Sequence, residues 1–137
     1  HCVVGSHGQK KIPEVLLRRQ IVIPQKMLNK KELLNKIKGY SQLIVQKNTY
    51  DIFVNMNLLR LLKPFTTAFV YGVALDYCVK YAVAGLLQRG LNVYVVSDAT
   101  KPVDAAEGRR LVSKFARNGV VLINTTQVVS EIRRLLQ

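Results

Sequence analysis

Two side chains in this sequence have the type and setting for covalent chemistry, Cys78 and Lys47. Cys78 stands where an apolar run gives way to helical spacing. Thr66 to Val73 are β-branched, aromatic or small, bounded by Pro64 before and Asp76 after, the pattern of a buried central strand. From Cys78 the positions Cys78, Ala82, Gly85, Leu86 and Arg89 recur at steps of three and four until Gly90, which predicts a helix. A helix N-terminus presents unpaired N–H groups and the positive end of the macrodipole, which favour an anion, the form in which sulfur attacks. The competing reading of the same residue is a small buried hydrophobe at a strand–helix junction. Lys47 ends another predicted strand, Gln42 to Lys47. An ammonium beside a cysteine stabilises negative sulfur and polarises a bound carbonyl, as covalent acyl transfer requires. A lysine at a strand end is also an ordinary solvated cap.

The elements that must position these two follow from periodicity. Residues 1–26, with Gly5, Gly8, Pro13 and Pro24, read as loop with a short strand at Arg19–Ile23. Lys30 to Lys38 reads as a helix capped by Asn29 and closed by Gly39. Asp51 to Leu62 reads as a helix with an apolar stripe of Ile52, Met56, Leu59 and Leu62, stopped at Lys63-Pro64. After the strand at 66–73 and the helix at 77–89 come a strand at Asn92–Ser97, a helix at Asp104–Asn118, a strand at Gly119–Asn124 and a helix at Thr126–Leu135. Asp104 suits an N-cap with Glu107 three residues on, and Asn118-Gly119 suits a C-terminal stop. Strands alternating with helices imply right-handed crossovers and a mostly parallel sheet. Functional sites of such sheets lie beyond the carboxyl ends of the strands, where Lys47 and the residues before Cys78 both fall.

The whole chain sets looser bounds. Its 137 residues fit one domain, and 49% apolar residues indicate a packed core. No apolar run reaches the ~18–20 residues needed to span a bilayer. Two cysteines make no disulfide framework, so a reducing cytoplasm is the default expectation. Of 21 basic residues against 8 acidic ones (net charge +13), many lie between Lys10 and Lys38, where Glu14 and Glu32 are the only acids. Aromatic residues are not interleaved there, so a solvated basic face fits better than a nucleic-acid reader, and nucleic acid is not an expected partner.

Four segments carry a resemblance: "HCVVGSHG" (His1–Gly8), "QKNTYDIF" (Gln46–Phe53), "GVALDYCV" (Gly72–Val79) and "DATKPVD" (Asp98–Asp104). In this order they resemble the isochorismatase-like cysteine hydrolases, and within them the nicotinamidase branch. The resemblance implies a three-layer, doubly wound, mostly parallel α/β sheet, of which this chain supplies the C-terminal four strands. Residues 1–137 would then be the C-terminal portion of a single hydrolase domain. It implies Cys78 as nucleophile, Lys47 as the lysine of the triad, and a cis peptide before Ala74. The backbone N–H groups of Ala74 and Cys78 would form the oxyanion hole, and such donors stabilise the tetrahedral oxyanion by roughly 3–4 kcal/mol each in other hydrolases. It also implies Tyr77 lining a ring pocket, His1 as a ligand of a divalent metal such as zinc, and a homo-oligomer. The reaction would be hydrolysis of a small-molecule amide, nicotinamide to nicotinate and ammonia, in NAD salvage.

The chain departs from this pattern. The family's triad aspartate and its remaining metal ligands precede the position matched by His1, and its first strand lies beside the strand leading to Cys78. The expectation is a longer natural protein, or a second polypeptide that completes it, with the fragment alone inactive and poorly folded. Ser6 stands for the usual threonine and Val54 for a small hydroxyl residue, which leaves other amides or N-carbamoyl compounds open as substrates. A catalytically silent binding protein of the same fold is a third reading. Of the remaining candidates, Cys2 is read as packing, His7 as exposed loop, Asp76 as a helix N-cap, Asp98 as a structural acceptor of loop N–H groups, and Phe53 as either core or substrate contact.

Overall fold

The computed structural model describes Val3 and residues 5–137. Short 3-10 turns at His7–Gln9 and Pro13–Val15 lead to β1 (Gln20–Ile23), α1 (Lys30–Ile37) and β2 (Gln42–Val45). A 3-10 turn, Ile52–Val54, precedes α2 (Met56–Leu62) and β3 (Thr67–Val73). A π-helical turn, Leu75–Val79, runs into α3 (Lys80–Leu87), followed by β4 (Asn92–Lys101), α4 (Ala105–Arg117), β5 (Val121–Ile123) and α5 (Thr125–Leu135). Every strand pair is parallel, so the fold is α/β with helical crossovers, as the alternation implies.

The caps are local in origin. Asn29 accepts from the Glu32 N–H while Glu32 accepts from the Asn29 N–H, a capping box that starts α1. Asp104 accepts from the Glu107 N–H at 2.8 Å and starts α4. Asn124, two residues before the expected start of the last helix, forms a second capping box with Gln127.

The strands divide into two sheets, β1–β2 and β3–β4–β5. The sequence reads as four strands of one sheet; the short fifth, β1, pairs with β2. Among the described residues β3 pairs only with β4, which leaves an unpaired edge on the side where the family's first strand is expected. Tyr71 and Val73 are 70% and 72% exposed. An apolar run reports what a strand can bury, not whether a neighbour lies along both of its sides.

β4 is the centre of the larger sheet. Val93 and Val95 point to one face and pack with Val83 and Leu86 of α3 and with Leu111 and Phe115 of α4. Tyr94 and Val96 point to the other, against Ile123 and Val128. Phe69 stacks on Tyr94 with ring centroids 4.8 Å apart. Phe53 is buried in the first cluster, its ring where a Cβ on Gly85 would stand, at 2.0 Å. That close approach explains a glycine inside α3 and places Phe53 in the core.

β4 extends four residues past its expected end at Ser97, because it leaves the ladder and returns. Val70 pairs with Val95 and Gly72 with Thr100, so β3 advances two residues while β4 advances five. The Thr100 hydroxyl closes this hook by donating to the Val96 carbonyl at 2.8 Å, and Ser97 donates to the Ile123 carbonyl. Gly72 takes φ +117°, a conformation that favours glycine. Among the described residues no helix is long and apolar enough to cross a membrane.

Candidate active site

β3 ends at Val73, the Val73–Ala74 peptide is cis, and the chain turns at once into the π-helical turn that holds Cys78. The helix thus begins earlier than spacing alone indicates, and Cys78 sits within its first turn, half-buried. π-turns inside helices are recurrent at functional sites.

Lys47 lies two residues past the end of β2. Its Nζ is 3.4 Å from Cys78 Sγ and donates to the Thr49 carbonyl at 2.7 Å. The two residues belong to different sheets, yet the carboxyl ends of β2 and β3 converge enough for an ammonium to reach the sulfur. The packing behind them explains this. Asn55 is fully buried; its Nδ2 donates to the carbonyls of Gln46 (2.8 Å) and Pro24 (3.0 Å). Asn57, also fully buried, donates to the carbonyls of Pro24 and Lys26 and accepts from the Leu28 N–H. These side chains hold the ends of β1 and β2 against the start of α2, one residue from Lys47. They also break the helix expected over 51–62: Asp51 caps the 3-10 turn, and Asn55 caps α2. Two asparagines in the otherwise apolar run Ile52–Leu59 were the available signal.

Asp76 is not the N-cap of its own helix, as its place two residues before Cys78 suggests. It lies inside the π-turn, is buried, and accepts from the Val103 N–H (3.0 and 3.1 Å) and the Asp104 N–H (2.8 Å). The Asp104 N–H foremost holds its carboxyl below the usual carboxylate range; burial opposes this, and Val103 and Lys80 add to it. Asp76 therefore ties the Cys78 turn to the entry of α4. Asp98 acts likewise inside the β4 hook, where it accepts from the Thr125 N–H (2.9 Å) and hydroxyl (2.7 Å). Thr125 lowers its carboxyl as well.

The Tyr77 ring, 41% exposed, stands 5.1 Å from that of Tyr50 at a tilted angle, with Lys80 Nζ 5.9 Å from its centroid. Tyr50 belongs to the Gln46–Phe53 segment but is not among the sequence-based candidates; its pairing with Tyr77 crosses between the sheets. His7 is exposed. His1 and Cys2 lie outside the described residues. Among the described residues no three His, Cys, Asp or Glu side chains gather as a metal site, so this part of the chain offers no ligand set for zinc and no step below passes through a metal.

The site is thus a strand–turn–helix elbow bearing a cysteine, faced by a lysine from the strand end of the other sheet. The chain belongs to the isochorismatase family: the profile of the isochorismatase domain matches residues 24–127. Three solved structures show the same fold. A nicotinamidase/pyrazinamidase from Bacillus subtilis is 16% identical with a TM-score of 0.65, over 90% of this chain and 62% of its own. An octameric hydrolase of unknown specificity from Escherichia coli is 19% identical with a TM-score of 0.61, over 75% of this chain and 51% of its own. A pyrazinamidase from Pyrococcus horikoshii, solved in complex with zinc, is 22% identical with a TM-score of 0.57, over 63% of this chain and 52% of its own. The chain thus spans about half the length of two of these relatives. No curated protein sequence matches it.

Proposed function

We propose that this chain carries the nucleophile of a cysteine amidohydrolase whose substrate is nicotinamide. The observation that carries the reading is Lys47 Nζ at 3.4 Å from Cys78 Sγ, in the first turn after β3. In the proposed reaction the Cys78 sulfur attacks the carboxamide carbon, and the oxyanion takes hydrogen bonds from the backbone N–H groups of Ala74 and Cys78. The C–N bond breaks, the nitrogen takes a proton and ammonia leaves, giving a thioester. Water then adds to the thioester carbon, the C–S bond breaks, and nicotinate leaves as the cysteine is regenerated. Lys47 balances the negative charge on sulfur, and Tyr77 with Tyr50 offers aromatic surface to the pyridine ring.

Nicotinamide is favoured by the His1–Gly8 segment and by two relatives named for nicotinamide or pyrazinamide. His1 is proposed as a ligand of a divalent metal, zinc by analogy with the Pyrococcus horikoshii protein, and the protein as a homo-oligomer, by analogy with the Escherichia coli hydrolase. We propose also that residues 1–137 are the C-terminal part of one domain. Its remaining strands would lie along the open side of β3, between the two sheets. The separation of β1–β2 from β3–β4–β5 supports this.

The test is ammonia release from nicotinamide by the full-length protein, with N-carbamoyl compounds in parallel. Cys78→Ala is expected to lower the rate at least about 10³-fold, because the covalent route is lost. Retained turnover in that variant would remove the mechanism, and preference for a carbamoyl compound would replace the substrate. A silent binding protein is the second reading. It is favoured by the absence, among the described residues, of any carboxylate paired with Lys47. No ammonia release from any amide would select it.

A further inference from the structure

Beside Leu75 of the Cys78 turn, a cavity of about 490 Å³ lies between α4 and the hook of β4. None of Cys78, Lys47, Tyr50 and Tyr77 lines it. Its wall is apolar, built mainly from Leu75, Val95, Val112 and Leu122, and two cations, Lys101 and Arg109, stand on its lining. Among the described residues neither cation is in an ion pair. The volume lies in the range of small-molecule sites. An apolar body would replace water against the wall, and a negative group would meet the two cations; a cation or a polyol would gain from neither.

We propose that this cavity is a binding site for a small apolar carboxylate, with the ring or branched chain against Val95, Val112 and Leu122 and the carboxylate at Lys101 and Arg109. The site is separate from the candidate active site but shares a wall with it. Leu75 is 4% exposed, follows Ala74 directly, and precedes the Asp76 that ties the Cys78 turn to the entry of α4. An occupant therefore bears on the backbone that carries the sulfur. The binding claim stands whether or not the amidohydrolase reading does.

Benzoate and its neutral isostere benzamide test it, titrated into the full-length, isotope-labelled Cys78→Ala protein, so that benzamide is not hydrolysed to benzoate, while backbone amide resonances are followed. The expected result is saturable shifts in α4 and in β4 from Val95 to Lys101, with benzamide at least roughly fivefold weaker. Arg109→Gln, at an exposed position, should weaken benzoate about three- to tenfold, as expected for one partly exposed charged hydrogen bond. Val112→Phe, which fills the cavity, should remove the shifts; if that variant fails to fold, Arg109→Gln decides alone. Equal affinity for the two compounds, shifts confined to the Lys47, Tyr50 and Tyr77 surroundings, or no saturation at tens of millimolar would each overturn the proposal.

Discussion

At the scale of single residues the candidate site depends on one contact and on the groups that hold it. Lys47 Nζ has two partners among the described residues, Cys78 Sγ and the Thr49 carbonyl. The carbonyl fixes the amine and leaves it able to face the sulfur. Lys47→Met keeps the stem and removes the charge; it should lower ammonia release about 10²-fold or more while leaving the denaturation midpoint within experimental error of the parent. Asn55 acts at one remove as a positioning residue. Asn55→Ala leaves the part-buried carbonyl of Gln46 without its donor and that of Pro24 with Asn57 alone, a loss of about 1–3 kcal/mol in urea titrations. It should lower turnover through the placement of Lys47. An unchanged kcat beside the loss of stability would show that the tie serves folding alone.

At the scale of elements, the sequence pattern announces each piece more clearly than its ends. Asn29, Asp104 and the short apolar run within 92–97 give α1, α4 and β4 directly, because caps and short apolar runs are local properties. The register jump of β4, the π-turn and the break at Asn55 are set by partners 9 to 32 residues away in the chain, which periodicity does not encode. Asp76 shows the difference. Its spacing from Cys78 suggests a cap on its own helix, and only the folded chain brings it to the N–H groups of Val103 and Asp104. Because its folded carboxyl titrates below the ordinary value of 3.8, the stability it confers is fully present above that value. It is lost as pH falls through the depressed folded value. Asp76→Asn should therefore be less stable than the parent at neutral pH, and the gap should narrow as pH drops below about 4, read from thermal midpoints at matched ionic strength. A gap independent of pH would assign the effect to shape instead of charge.

At the scale of the whole molecule two features oppose each other. The chain carries a net charge of +13, which drives copies apart at low ionic strength. β3 offers a strand side unpaired among the described residues, with Tyr71 and Val73 exposed beside it, and such edges draw other chains. Raising salt from about 20 mM to about 300 mM shortens the Debye length to well under 10 Å. Self-association of residues 1–137 alone, measured by light scattering, should then increase. If association instead weakens with salt, charge pairing holds the copies together, and the strand edge is not the contact.

The division into two sheets has a consequence for what the site reports. β1 and β2 can pair through their own crossover, and so can β3, β4 and β5, without either group touching the other. The amine and the sulfur come from opposite groups, so their meeting certifies that both have docked correctly. In residues 1–137 alone, a small hinge motion between the groups would open that gap before it disturbed a single backbone ladder, separating the amine from the sulfur while both sheets remained intact.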